Sequence, residues 1–138
     1  MVILMGKEVG YLAGFLDGEG NISANLKTVW LRFSNTNLKV LQWIHSKIKV
    51  GKIVPAKHKV NNPKHKLPYV LTVHGNEAKE VLREILACSI IKKKQAKLAI
   101  SYPIGTQISY IKLTSSILKK RREIINKIHI LNRRGNIT

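Results

Sequence analysis

The chain has 138 residues, a formal net charge of +18 at pH 7 and a hydrophobic content of 44%. This length is typical of one domain, and this apolar content supports an ordinary buried core, which argues against a disordered basic tail. The balance of 25 Lys and Arg against seven Asp and Glu predicts a polyanionic partner. A single cysteine excludes an intrachain disulfide framework, and without a Cys-rich cluster a typical structural zinc site is not expected.

The chain shows no targeting or membrane segment. Residues 1–5 are apolar but too short for a signal peptide, and they lack its basic flank and cleavage site. No apolar run approaches transmembrane length. We therefore expect an intracellular protein that does not act in a membrane, its compartment otherwise unspecified.

The first predicted element is a helix in which Gly10, Gly14 and Gly18 recur every four residues. At 3.6 residues per turn they lie in one slowly drifting row, with Ala13 beside them. Each glycine costs the helix roughly 0.5–1 kcal/mol relative to alanine, a penalty that close approach of another backbone would offset. The row therefore predicts packing against a second helix.

Two carboxylates, Asp17 and Glu19, lie at the C-terminal end of this helix. A negative charge there opposes the helix dipole by about 0.3–1 kcal/mol, so stability alone does not favour it. Hard cations such as Mg²⁺ prefer carboxylate oxygens and need few protein ligands. Two such helices packed glycine to glycine would bring two Glu19 carboxylates together, which suits phosphodiester hydrolysis. An acidic pair that merely caps and solvates a turn is the alternative.

Residues 12–20, Leu-Ala-Gly-Phe-Leu-Asp-Gly-Glu-Gly, resemble the motif of the LAGLIDADG homing endonucleases. The departures are conservative, with Gly18 in place of alanine and Glu19 in place of the usual aspartate. One motif in so short a chain is similar to the homodimeric branch, since members that cut as monomers carry two. The resemblance implies an α+β, αββαββα fold. Its curved antiparallel four-stranded sheet would lie along the DNA major groove, with additional C-terminal helices.

The same resemblance implies a homodimeric, sequence-specific endonuclease that uses Mg²⁺ to cut both strands of a long pseudo-palindromic DNA site. Mn²⁺ would substitute, and Ca²⁺ would support binding without cleavage. Glu19 and the Gly18 backbone carbonyl correspond to the metal ligands. Lys92, shortly before a Lys-Gln-Ala segment, corresponds to a lysine that reaches the active site. Asn37 corresponds to a polar residue that holds water near the metal, with an ordinary helix start as the alternative. The implied dimer interface comprises Gly10, Ala13, Gly14 and Asp17.

Residues 21–35 alternate in the manner of a hairpin with its turn near Thr28. We expect one face to enter the core, namely Ile22, Ala24, Leu26, Leu31 and Phe33. The opposite face mixes hydrogen-bonding and cationic groups suited to bases and phosphates. A solvated outer face is the alternative, and an exposed Trp30 favours DNA.

The rest of the chain predicts a second helix–hairpin–helix unit. Thr36 is the expected N-cap of a helix that Gly51 ends. Two strands follow, residues 52–58 and 69–74, joined by a polar loop. Gly75 opens a helix with an apolar stripe, and Pro103 ends the next one. We expect a single domain over residues 1–138, with a core of about residues 6–102 and a basic helical extension of about 106–138. The extension's residues 119–122 are expected on its solvated face.

The residues expected to contact DNA lie on the outward strand faces, in the polar loop and in the basic run after residue 91. They are Ser23, Asn25, Lys27, Trp30, Arg32, Ser34, Lys52, Val54, Lys57, Lys59, Lys64, Lys66, Val70, Thr72, Lys93 and Lys94. Charge and sheet alone do not separate an endonuclease from a non-cleaving splicing cofactor that binds intron RNA. A structural RNA-binding protein is a third reading, but it leaves the carboxylates and the glycine row unexplained.

Overall fold

The computed structural model describes residues 4–56, 67–104 and 114–134. The predicted α+β architecture with a four-stranded antiparallel sheet is confirmed. A short 3₁₀ turn at Leu86–Cys88 lies between the third and fourth helices. None of the described helices is long and apolar enough to cross a membrane. In chain order the elements are α1 (Gly6–Glu19), β1 (Gly20–Ala24), β2 (Val29–Asn35), α2 (Leu38–Ile48), β3 (Lys52–Pro55), β4 (Tyr69–His74), α3 (Gly75–Ile85), α4 (Lys93–Ser101) and α5 (Ser115–Arg134).

The sheet has the strand order β1-β2-β4-β3, so that the second strand of each hairpin lies at the centre. Every neighbouring pair is antiparallel. Phe33 of β2 lies opposite Leu71 of β4, which in turn lies opposite Ile53 of β3. Because side chains alternate along a strand, this register collects the apolar residues on one face. Ile22, Leu31, Phe33, Leu71 and Val73 are fully buried there.

The apolar stripes of the first three helices contribute to the same core. Leu12 and Leu16 of α1 are fully buried, as are Leu41, Ile44 and Ile48 of α2. In α3, the predicted stripe is buried over four positions at helical spacing: Ala78, Val81, Leu82 and Ile85. Helical periodicity therefore identified the inward face of α3 correctly.

The first hairpin turns earlier than its alternation predicted. Strand β1 ends at Ala24, and the Asn25 side chain accepts hydrogen bonds from the amides of Lys27 and Thr28, each at 2.9 Å. Leu26 therefore lies in the turn with 41% of its surface exposed, and its expected place in the core is wrong. An Asn side chain that closes a turn in this way overrides the strand period.

Both ends of α2 differ from prediction. Its N-cap is Asn37, not Thr36, because the Asn37 side chain accepts from the Val40 amide at 3.2 Å. The helix ends at Ile48, where Lys49 adopts the left-handed conformation with φ of 62°. Gly51 belongs to the following turn, and a Cβ there would lie 2.8 Å from the Thr72 carbonyl oxygen.

Helix α5 packs against α4 and along strand β1, the free edge of the sheet. Asn132 donates to the carbonyl of Ile22 at 2.9 Å. Arg121, expected on the solvated basic face, is only 6% exposed, and that expectation is wrong. Its guanidinium donates to the carbonyls of Leu26 and Pro103. The C-terminal helix thus supplies donors to one carbonyl of the edge strand β1 and to two carbonyls outside the sheet.

Candidate active site and nucleic-acid interface

The end of α1 presents one carboxylate to solvent. Glu19 is the last residue of the helix and its side chain is exposed. Within the described residues it makes no hydrogen bond or ion pair, although its charge acts on Lys92. Gly18 beside it is exposed, and a Cβ added there would meet nothing within 4 Å. We call Gly18 and Glu19, at this end of the helix, the α1 corner. It offers an exposed carboxylate and an accessible backbone to a ligand.

Asp17 faces the other way and binds the loop that follows α3. Its carboxylate accepts from the Ser89 hydroxyl and the Ile90 amide, both at 2.7 Å, and from the Lys92 amide at 3.1 Å. Burial alone would raise the pKa of Asp17. The hydrogen bonds from this loop outweigh that effect and hold the pKa below its ordinary value.

The Lys92 side chain returns from the loop to the end of α1. Its ammonium donates to the carbonyls of Leu16 at 3.0 Å, Asp17 at 3.2 Å and Gly20 at 2.5 Å. Burial lowers the pKa of this ammonium, while the carboxylates of Asp17 and Glu19 act in the opposite direction. A cation is favourable here because carbonyls at a helix C-terminus lack partners within the helix.

A polar cleft of about 320 Å³ opens beside this corner. Three carboxamide side chains from different elements meet there: Asn21 of β1, Gln95 of α4 and Asn132 of α5. Gln95 is 5% exposed and donates to the Asn132 carboxamide oxygen at 3.4 Å. The cleft is also lined by Asp17, Gly18, Gly20, Ile91 and Lys92.

One face of α1 is open along its length. A Cβ added at Gly6, Gly10, Gly14 or Gly18 would meet nothing within 4 Å. The glycine row therefore has no packing partner among the described residues of its own chain. Ala13, which we expected to share this face, is fully buried in the core, so its assignment to the interface is corrected. Asp17, also expected at the interface, accepts hydrogen bonds from Ser89 and Ile90 of its own chain.

The outward face of the sheet gathers polar and cationic side chains into cross-strand rows. Arg32 is exposed, and its guanidinium lies 4.9 Å from the centre of the Trp30 ring. The Trp30 ring is half-buried, not exposed as expected, and its Nε1 has no partner among the described residues. The strand register gives three rows: Ser23, Trp30 and His74; Asn21, Arg32, Thr72 and Lys52; Ser34, Val70 and Val54.

A family model described as "LAGLIDADG-like domain" matches residues 6–86, more than half of the chain. The chain belongs to the LAGLIDADG family. The matched range contains the α1 corner, the whole sheet and α3. No curated protein sequence gives a significant match.

Solved structures of LAGLIDADG proteins share the fold. The homing endonuclease I-CvuI, solved with DNA in the presence of Mg, superposes with a TM-score of 0.69 and 23% identity, over 91% of this chain and 82% of its own. The archaeal intron-encoded homing endonuclease I-Vdi141I, complexed with DNA, superposes with a TM-score of 0.54 and 18% sequence identity. The match covers 90% of this chain and 98% of I-Vdi141I. The LAGLIDADG meganuclease I-AabMI, bound to uncleaved DNA, superposes with a TM-score of 0.55 and 19% sequence identity. The match covers 94% of this chain and 44% of I-AabMI.

The structure brings only some of the predicted LAGLIDADG site residues together. Glu19, Gly18 and Lys92 meet at the α1 corner. Asn37 instead caps α2. Asn25 closes the first hairpin turn with its side chain, and Lys27 is exposed in that turn. Lys93 and Lys94 begin α4 directly after Lys92, whereas four predicted DNA contacts, Lys57, Lys59, Lys64 and Lys66, lie outside the described residues.

Sequence reasoning missed several residues of these surfaces. Asn21 and His74 fall on the outward face by the same alternation that identified Ser23 and Thr72, so a stricter count along the strands would have found them. Ser89 and Asn132 reach the α1 corner and its cleft through tertiary packing. No local pattern in the sequence marks these two.

Proposed function

We propose that this protein is a homodimeric, Mg²⁺-dependent endonuclease that cuts both strands of a long pseudo-palindromic DNA site. The observation that carries the proposal is the exposed Glu19 carboxylate, which has no hydrogen-bond or ion-pair partner among the described residues of a chain of net charge +18. It lies at the end of a helix whose glycine face is open to those residues. A strongly basic protein gains affinity for DNA by displacing cations from phosphates. An exposed carboxylate works against that affinity unless it binds a cation of its own.

The α1 corner suits a hard divalent ion. The Glu19 carboxylate and the Gly18 carbonyl would be the ligands from this chain. No group of three or more His, Cys, Asp or Glu side chains gathers anywhere in the described residues. Mg²⁺ tolerates so small a donor set because it keeps waters and binds substrate phosphate oxygens. Bound there, it supplies Lewis acidity and a more acidic water. Mn²⁺ would substitute, and Ca²⁺ would support binding without cleavage.

Cutting both strands requires two corners, and the glycine row supports a dimer that provides them. Helices approach most closely where Cβ atoms are absent, and the row is open along α1. Packing of two copies along this row would bring both Glu19 residues near one axis. The outward sheet rows would contact bases and phosphates on either side of the cleavage positions.

The proposal is tested by incubating a randomised duplex-site library with purified protein, with Mg²⁺ and separately with Ca²⁺, and sequencing the cut ends. Recovery of one long, roughly two-fold symmetric site, cut with Mg²⁺ alone, is the expected result. Binding without cutting in either metal would contradict the endonuclease and favour the splicing cofactor. Intron RNA would then be the next substrate to test.

A further inference from the structure

The loop after α3 and the end of α1 hold each other through two opposite charges. Asp17 of α1 accepts hydrogen bonds from the loop, and Lys92 of the loop donates to α1 carbonyls. Ser89, fully buried, donates its hydroxyl to Asp17. We call these three residues the clasp. Both ends of Lys92 are fixed by it, the amide by the Asp17 carboxylate and the ammonium by the helix end.

The hydrogen-bonding capacity of Lys92 is fully used in this arrangement. A lysine ammonium has three N–H donors and no acceptor. Three backbone carbonyls, those of Leu16, Asp17 and Gly20, lie within 2.5–3.2 Å of it. A direct contact to a phosphate or an attacking water would require one of these bonds to be released. The carbonyls bracket Gly18 and Glu19, the two residues proposed to hold the metal.

From this geometry we infer that Lys92 is a positioning residue: the clasp fixes the turn that carries Glu19 and the Gly18 carbonyl, and Lys92 does not contact the scissile phosphate. The inference rests on the proposed endonuclease function. It makes specific the role that the family resemblance implied for this lysine, which was to reach the active site. Partners that orient a metal ligand commonly change metal affinity by roughly 10- to 100-fold when removed.

An electrostatic role and a positioning role for Lys92 predict opposite changes in metal affinity when the lysine is replaced. Removing a positive charge beside a divalent ion relieves repulsion, so a purely electrostatic Lys92 predicts tighter metal binding in Lys92→Met. A positioning Lys92 predicts weaker binding, because Glu19 and Gly18 lose their fixed geometry. A lysine on a phosphate also contributes about 0.9 to the slope of log K against log salt, and a positioning lysine contributes nothing.

The test compares wild type with Lys92→Met, with Lys93→Met as the matched control from the same basic run. In the free protein, amide hydrogen exchange at Ile90, which donates to Asp17 at 2.7 Å, is measured by NMR. We expect it to be roughly tenfold faster in Lys92→Met and unchanged in Lys93→Met. An unchanged rate in Lys92→Met would overturn the clasp without reference to DNA.

With the duplex selected by the cleavage library, the Ca²⁺ concentration that half-maximally strengthens binding should rise roughly tenfold or more in Lys92→Met. The salt slope should stay at the wild-type value in that variant and fall by about 0.9 in Lys93→Met. A lower Ca²⁺ requirement, or a reduced salt slope in Lys92→Met, would overturn the positioning role.

Ser89→Ala provides a milder variant should Lys92→Met fail to fold. It removes one hydroxyl and leaves every charge in place, yet it should accelerate Ile90 exchange and raise the Ca²⁺ requirement in the same direction. Wild-type rates in Ser89→Ala would contradict the clasp. If wild type binds no duplex, the endonuclease proposal fails, while the exchange at Ile90 still decides whether the clasp exists.

Discussion

Glu19 and Asp17 are two residues apart and have opposite surroundings. Asp17 is saturated by donors from the loop after α3, whereas Glu19 faces solvent without a partner in the described residues. A carboxylate that is fully hydrogen-bonded by its own chain has little capacity left for a metal. The division of roles between the two acids therefore follows from their hydrogen bonds, with Asp17 structural and Glu19 available to a ligand.

Replacing Glu19 with Gln tests the availability of that ligand. The change keeps the size of the side chain and removes its charge, so we expect folding and duplex binding to persist. Mg²⁺-dependent cleavage of the selected site should fall by roughly 100-fold or more. Glu84→Gln, the same change at an exposed position of α3, serves as the control and should cut normally. Full cleavage by the Glu19 variant would refute the assignment.

Replacing Asp17 with Asn tests the structural role through its pH dependence. Because the folded-state pKa of Asp17 lies below its ordinary value of 3.8, its ionised form stabilises the fold above that pH. The stabilisation is lost as pH falls through the lowered pKa. We expect Asp17→Asn to reduce the free energy of unfolding by about 1–2 kcal/mol at neutral pH. Urea unfolding of both proteins should show this gap closing only below the ordinary value. A gap that is constant with pH would contradict the account.

At the scale of elements, buried polar contacts attach the C-terminal helix to the turn of the first hairpin and to the segment after α4. Arg121 is 6% exposed, donates to two carbonyls and lies over the Tyr102 ring at 5.0 Å. Arg121→Ala would leave these carbonyls without their donor. We expect a loss of roughly 2–3 kcal/mol in the free energy of unfolding, measured by urea denaturation. Arg122→Ala, at the exposed neighbour, should change it by less than about 0.5 kcal/mol. Equal losses would show that Arg121 has no special role.

The element order could be predicted from the sequence because it depends on local period. Alternation predicted the first hairpin, and 3.6-residue spacing predicted the apolar stripes of α2 and α3. The predictions that were wrong concern side chains whose surroundings depend on contacts between residues distant in sequence. The burial of Arg121 requires Leu26 and Pro103 as neighbours, and the role of Asp17 requires Ser89, which lies 72 positions later. No window along the chain contains both members of such a pair.

The candidate site divides in the same way. The position of Glu19 and the outward strand faces follow from the motif and the alternation, so they could be predicted. The position of Lys92 against the α1 carbonyls could be predicted only as proximity, from the family resemblance. Its three hydrogen bonds depend on how the loop after α3 returns to the helix end. Those bonds are what separates a positioning lysine from one that is free to reach a phosphate.

At the scale of the whole molecule, the glycine row of α1 is expected to affect folding and association in different ways. Glycines within a helix are usually tolerated where another part of the fold packs closely against them, but here an added Cβ meets nothing in the described part of the chain. The row therefore weakens the helix and packs against nothing in the described residues of this chain. A second copy of α1 would supply the missing packing, and dimerisation would then recover the helix-propensity cost.

Replacing Gly14 with Leu should consequently change folding and association in opposite directions. Leucine has a higher helix propensity than glycine, and a Cβ at position 14 meets nothing within 4 Å in the described residues. A single chain should therefore gain roughly 0.5–1 kcal/mol in unfolding free energy. The same side chain would prevent close approach of a second α1, so sedimentation velocity should show monomers of this variant and dimers of the wild type. Asn126→Leu, which adds a leucine at an exposed position of α5, should leave the dimer intact. A Gly14→Leu protein that sediments as an unchanged dimer would place the interface elsewhere. A monomer of lowered stability would mean that the glycine row packs within its own chain. Only a monomer whose stability is not lowered would show that the glycine row serves association and not folding.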